Sequence, residues 1–272
     1  MMRGAVFFET LRRSWKTMLY LGIGIGALAL YYVLMLMDEK MLKQMSGMLD
    51  NFQWLINALG GGDAAFMATP EGLLNYAFYS WVVLMIAAYT VVAGLNVTSS
   101  EEDRGILDIL LSMPIPRWRV VLEKFLAYAV IIGGVVAMGH VALVLGTQNS
   151  PALRPLLTVG TPARLAECSF NMIPPLLLVL AFTAFVSTLV RRRSTAATIA
   201  AVFVIASFFI EMIGRSAPSA DKLRVVSFYS YYNSAAVMKD GLVWGNVIGL
   251  LAVAAILLVG ALVAFQRRDI SV

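Results

Sequence analysis

The sequence predicts an all-α integral membrane protein with six transmembrane helices, an N-terminal interfacial helix and a short cytoplasmic helix between spans two and three. Three observations predict it. Of 272 residues, 60% are hydrophobic and 14% charged, with a mean hydropathy of +0.81, whereas a domain facing water carries about 25% charged residues. The apolar residues gather in runs near the roughly 20 residues that a helix needs to cross about 30 Å of hydrocarbon. Those runs are continuous, without the alternation of polar and apolar positions that barrel strands require.

The elements follow in order. Residues 4–16 form an amphipathic approach: Val6, Phe7, Leu11 and Trp15 fall near one helical face, while Glu9, Arg12 and Arg13 fall elsewhere. A helix of that pattern lies in the interface and leads into the first span. The spans are read at 18–37, 73–97, 120–146, 172–190, 196–213 and 244–265. The first run is too long for a cleavable signal peptide and lacks a small-residue cleavage site, so it reads as an uncleaved span. Residues 38–72 form an outer loop with an amphipathic stretch ended by Gly60-Gly61-Gly62. Spans four and five are joined by a tight basic hairpin, Arg191-Arg192-Arg193-Ser194-Thr195. Between spans five and six, Phe228, Tyr229, Tyr231 and Tyr232 form an aromatic cluster, expected at the headgroup level.

Basic residues set the orientation. With the N-terminus inside, the cytoplasmic segments hold thirteen of the 21 Lys and Arg: Arg3, Arg12, Arg13, Lys16, Arg104, Arg117, Arg119, Lys124, Arg191, Arg192, Arg193, Arg267 and Arg268. The longer outer segments hold the other eight, Lys40, Lys43, Arg154, Arg164, Arg215, Lys222, Arg224 and Lys239. Both termini are therefore expected in the cytoplasm, with the chain multi-pass in the inner (plasma) membrane. The net charge of +5 fits cytoplasmic loops facing anionic lipid headgroups better than nucleic acid. The lone Cys168 cannot form an intramolecular disulfide.

The cytoplasmic segment between spans two and three is the most informative. Ser99 with Glu102 makes a capping box, and Glu101, Glu102 and Asp103 suit the positive N-terminus of a helix. Pro114 and Pro116 end it. In between, Ile106, Leu107, Leu110 and Leu111 make an apolar stripe. A rigid amphipathic helix over 99–113 is too short to span lipid, and its stripe needs a cover: the membrane surface, the protein's own inner face, or a soluble partner. The acidic start argues against an anionic membrane surface.

The run Glu102-Asp103-Arg104-Gly105-Ile106-Leu107-Asp108-Ile109-Leu110-Leu111-Ser112-Met113-Pro114-Ile115-Pro116-Arg117 resembles the E-x-x-G-T-L-(D/E)-x-L-L-x-x-P-(V/I)-x-R stretch of ABC-2 type permeases, with Ile106 where threonine is common. Glu123-Lys124-Phe125-Leu126-Ala127, Leu59-Gly60-Gly61, Thr69 to Leu74, Phe228 to Asn233 and Phe265 to Ile270 are similar to other parts of that family, in the same order. The resemblance implies one transmembrane domain over residues 1–272, with 4–16 as a connecting helix and 99–113 as a coupling helix docked on a separate ATP-binding subunit. It implies that Glu101, Glu102, Asp103, Arg104, Gly105, Leu107, Leu110 and Leu111 form the docking surface. It also implies an exporter in which two permease chains, alike or different, pair around the substrate path. ATP and Mg then bind in the partner, because this chain has no G-x-x-x-x-G-K-[ST] loop.

Other features read more plainly. Gly22 and Gly26, like Gly245 and Gly249, have the spacing of close helix packing. His140, alone within span three, reads as a hydrogen-bonded packing residue before a proton relay or ligand. Glu211 and Arg215 stand one turn apart as an ion pair. Asn96-Val97-Thr98 matches a glycosylation sequon but falls on the cytoplasmic side. A secondary transporter or channel without an ATPase partner would carry more ionisable residues inside its spans. A membrane-embedded enzyme would need a base, nucleophile or metal cluster that one His and one Cys do not supply. Spans lined by Leu, Val, Ala, Met and Phe suit amphiphilic drugs, lipids or peptides without choosing among them.

Overall fold

Spans two and four form the centre of the helix bundle, with 67% and 72% of their most apolar stretches buried against 22–39% in the other four spans. The computed structural model describes residues 4–36, 66, 69–98, 116–149, 161–190, 192–216 and 218–267. Among these, all regular structure is helical. Six helices are long and apolar enough to cross a membrane: Ala5–Met35, Pro70–Thr98, Arg117–Gln148, Ala163–Leu189, Arg193–Arg215 and Trp244–Arg267. Each coincides with an expected span.

The first helix differs from expectation in one respect. Residues 4–16 do not form a separate interfacial helix; Ala5–Met35 is continuous over 31 residues. At 1.5 Å per residue it is about 46 Å long, so its basic first turns project beyond a hydrocarbon layer of about 30 Å. Nothing between Ser14 and Leu19 is a glycine or proline that would break it.

Three parallel helix pairs organise the bundle. Spans one and three run side by side at a constant offset of 116 residues: Phe7 meets Glu123, and Met18/Gly134, Gly22/Met138, Gly26/Ala142 and Leu30/Gly146 meet in turn. Small residues set the approach. A Cβ on Gly26 would lie 3.3 Å from Ala142 Cβ, and one on Gly22 would collide with Met138 Sδ, the close packing expected of that pair. Spans two and four run parallel with Thr98 hydrogen-bonded to Ser187, 89 residues on, and with Gly94 against Thr183. Span six runs parallel to span four at an offset of 75, from Glu167 bonded to the Leu242 N–H to Phe185 packed on Gly260. Asn96, near the end of span two, accepts a 2.8 Å hydrogen bond from Arg193 at the start of span five. The beginnings of spans one, three and five thus share one face with the ends of spans two, four and six.

The opposite face carries short helices where the sequence suggested loops. Thr161–Asn171 leads into span four, and two 3₁₀ segments, Pro218–Val226 and Phe228–Tyr232, precede a helix at Ser234–Asp240. Gly241 closes that helix at φ +97 with Arg164 filling the space a side chain would occupy, a position suited to glycine.

Candidate functional site

Two regions bear on function: the face that holds the ends of the loop between spans two and three, and a polar core in the opposite half of span two. The eight residues expected to dock a partner, Glu101, Glu102, Asp103, Arg104, Gly105, Leu107, Leu110 and Leu111, lie outside the described residues. The structure does define the frame that presents them. Span two ends at Thr98 and span three begins at Arg117, with Pro116 in extended backbone at its N-cap. Both ends sit on the face where Ala5 and Arg193 begin their helices. Thr98 is buried and hydrogen-bonded to Ser187. Together with the Arg193–Asn96 bond, this engages both polar residues of the Asn96-Val97-Thr98 sequon in packing.

A residue with no role assigned from sequence joins this frame. Glu123, two turns into span three, receives the backbone N–H groups of Val6 and Phe7 at 3.1 and 3.2 Å on Oε2. Its Oε1 lies 4.0 Å from Arg119 Nε. A carboxylate at the margin of an apolar run was the available signal, since a poorly solvated charge needs a partner.

The polar core surrounds an irregularity in span two. After Pro70–Leu74, capped by Thr69 accepting from the Gly72 N–H at 3.1 Å, the chain makes a π turn at Asn75–Tyr79 before resuming as Ser80–Thr98. A π turn disturbs the regular carbonyl pairing, and such turns concentrate at functional sites. Here tyrosines from the far end of the chain supply donors: Tyr232 Oη donates to the Tyr79 carbonyl at 2.9 Å and Tyr229 Oη to that of Ser80 at 2.5 Å. Both side chains are buried, and burial pushes their hydroxyls well above the ordinary pKa, so they remain protonated donors. Tyr229 and Tyr232 thus turn their hydroxyls to backbone carbonyls rather than to water. Only Tyr231 is exposed, and Phe228 stacks on Phe203, which stacks on Phe182.

The same core accounts for His140. Its Nδ1 lies 3.0 Å from Ser169 Oγ, which lies 3.1 Å from Tyr79 Oη, which donates to the Leu165 carbonyl at 3.1 Å. That last bond uses the only tyrosine proton, so Ser169 donates to Tyr79 and the His140 Nδ1–H donates to Ser169. The histidine is a hydrogen-bonded packing residue. Asn75 is fully buried within the π turn with neither side-chain polar atom partnered.

Glu211 also gains a partner beyond the expected one. Arg215 Nε donates to it at 2.5 Å, and Arg224 donates through Nε and Nη2 at 3.1 Å each. The Arg224 stem crosses Gly214, where a Cβ would collide with it. The hydrogen bond to Glu211 holds the Arg224 guanidinium above its ordinary pKa. Gly245 and Gly249, in contrast, have no atom within 4 Å of an added Cβ. They line an apolar cavity of about 470 Å³ between spans four, five and six. The close packing expected of that pair is absent among the described residues. A second apolar cavity, of about 370 Å³, lies between spans two and five.

Helix bundle and span count define a polytopic membrane protein. The family model described as ABC-2 family transporter protein matches residues 10–270, and the chain belongs to that family. It is accordingly the permease component of an ABC transporter, a class of membrane subunit that works with ATP-binding subunits. Neither the comparison with curated proteins nor that with solved structures returns a match.

Proposed function

We propose that this chain is the permease of an ATP-driven exporter, forming the substrate path and coupling it to hydrolysis by a separate ATPase subunit. The observation that carries the reading is the stretch from Glu102 to Arg117, lying within the family match and joining spans two and three. In this reading residues 99–113 form a coupling helix whose stripe, Leu107, Leu110 and Leu111, is buried against the ATPase. Glu101, Glu102, Asp103, Arg104 and Gly105 meet it at the rim. Nucleotide closing the ATPase dimer pushes on the helix and biases the spans between two states. Two permease chains, identical or not, pair around the path. ATP and Mg are bound by the partner, the termini face the cytoplasm, and the chain resides in the inner (plasma) membrane. The fully helical frame supports this, since Thr98 and Arg117 deliver the loop to the same face as Ala5.

The test is Leu110→Asp in the copurified complex. Loss of a buried apolar anchor at an interface costs about 1–3 kcal/mol, while rim charges contribute less and respond to salt. Leu110→Asp is expected to abolish ATPase association or stimulation with membrane insertion intact, and Glu101→Gln to weaken it in a way that shrinks at high salt. Unchanged association and unchanged stimulation in Leu110→Asp would remove the main support for the reading.

A further inference from the structure

The first turn of a helix leaves four N–H groups without intrahelical partners, and the helix Ala5–Met35 has no cap of its own. Gly4 precedes it with φ +92 and no side chain, and no acidic residue stands in the first turn. The missing acceptor comes from 116 residues away: the Glu123 carboxylate takes the Val6 and Phe7 N–H groups. Its side chain is only 15% exposed, so the bond is poorly screened, and the negative charge lies at the positive end of the helix. Above it, glycine contacts keep spans one and three in register as far as Leu30 and Gly146. Glu123 stands two turns beyond Pro116, where the loop from span two delivers the chain into span three.

We propose that Glu123 is a positioning residue that ties the N-terminal helix to span three, so that the two spans move as one body when the loop at 99–115 is pushed. The inference rests on the exporter reading, since it assumes that force arrives through that loop. Span three is pulled directly by the loop. Span one is joined to that loop covalently only through residues 37–69 and the whole of span two, and Glu123 supplies a direct polar link from span one to span three. The tie couples the two helices at their base, where the basic first turns of span one project beyond the hydrocarbon.

The experiment uses the copurified permease–ATPase complex with Cys168 replaced by alanine. Glu123→Ala is expected to lower permease-stimulated ATP hydrolysis severalfold, with copurification retained. Glu123→Gln, which keeps an acceptor oxygen but not the charge, is expected to lose less. The second arm introduces Gly26→Cys with Ala142→Cys. The 3.3 Å between a Cβ at Gly26 and Ala142 Cβ is close to the roughly 3.5–4.5 Å that a disulfide needs. Oxidising this pair in the otherwise unaltered complex is expected to leave stimulation intact and to proceed to the same yield with and without ATP and vanadate. In Glu123→Ala the disulfide is expected to restore stimulation, and reductant to remove it again. Full stimulation in Glu123→Ala, or loss of stimulation on oxidising the otherwise unaltered complex, overturns the proposal. If Glu123→Ala fails to assemble, Glu123→Gln carries the stimulation and rescue measurements in its place, with the same overturning results. If the unaltered permease does not stimulate its ATPase at all, the exporter reading fails instead, while the nucleotide dependence of the cross-linking yield still reports whether spans one and three part.

Discussion

Replacing Gly94 with alanine adds one methyl group at the tightest crossing of the bundle's centre. The new Cβ would lie 2.6 Å from Thr183 Cβ, 2.9 Å from its Cγ2 and 3.1 Å from the Leu180 carbonyl oxygen. None of these can yield locally. Thr183 is fully buried and its hydroxyl is bonded to the Val179 carbonyl at 2.8 Å, so turning its methyl away breaks that bond. The carbonyl belongs to the backbone of span four. Spans two and four must therefore separate, and overpacking of this kind costs about 1–3 kcal/mol. The better helix propensity of alanine offsets roughly 0.5–1 kcal/mol of that, leaving a net loss. Gly245→Ala is the control, because an added Cβ there meets nothing within 4 Å. It is expected to be neutral or stabilising. Denaturant unfolding of the purified chain in bicelles, followed by tryptophan fluorescence, measures both. If Gly94→Ala unfolds at the same denaturant concentration as the unaltered chain, the steric argument is wrong. If Gly245→Ala loses as much, the cavity beside span six is filled in a way the structure does not record.

Three further outcomes are expected. Arg224→Ala removes the bidentate partner of the nearly buried Glu211 carboxylate while Arg215 remains. It should cost about 1–3 kcal/mol and change little between low and high salt; a loss that salt abolishes would place the pair at the exposed surface. Tyr232→Phe strips the donor from the Tyr79 carbonyl at the π turn and should cost about 1–2 kcal/mol in the same unfolding assay. Tyr231→Phe, at an exposed position, should cost a fraction of that, and equal losses would deny the π turn its special dependence. With Cys168 replaced, impermeant thiol reagents applied from outside intact cells should label cysteines at Ser46 and Ser219 but not at Ser112 or Ser271; labelling at Ser112 would invert the topology.

The spans were legible in the sequence because lipid imposes a length and a composition, and six runs satisfy both. Their ends were less legible. Hydropathy marks where a helix leaves hydrocarbon, not where its hydrogen bonding stops. Thus Ala5–Met35 begins well before residue 18, and span three begins at Arg117, with its basic residues still helical. Glycine spacing was similarly ambiguous. Gly22 faces the Met138 side chain and Gly26 the Ala142 Cβ of span three, whereas Gly245 and Gly249 face a cavity. An i,i+4 pair states that a helix has a smooth side, not what lies against it. The docking residues between Glu101 and Leu111 rest on motif and spacing, with the structure supplying only the frame on either side.

What stayed hidden was the chemistry that only tertiary structure assembles. Nothing in Asn75-Tyr76-Ala77-Phe78-Tyr79 announces a π turn, because the turn is maintained by hydroxyls placed about 150 residues later. The tyrosine cluster was visible, but the headgroup rule assumes that a hydroxyl near a span seeks water. In this chain a disturbed backbone offers it a carbonyl instead, and burial of the ring adds to the gain. The same reasoning unites Glu123 and Glu211. Each is a carboxylate at the margin of an apolar run, and each is held by groups distant in sequence: the backbone N–H groups of Val6 and Phe7 for one, Arg224 for the other. In a chain with 14% charged residues, each of these carboxylates adds a tertiary contact to its local i,i+4 arginine, because a charge poorly reached by water gains from every further donor.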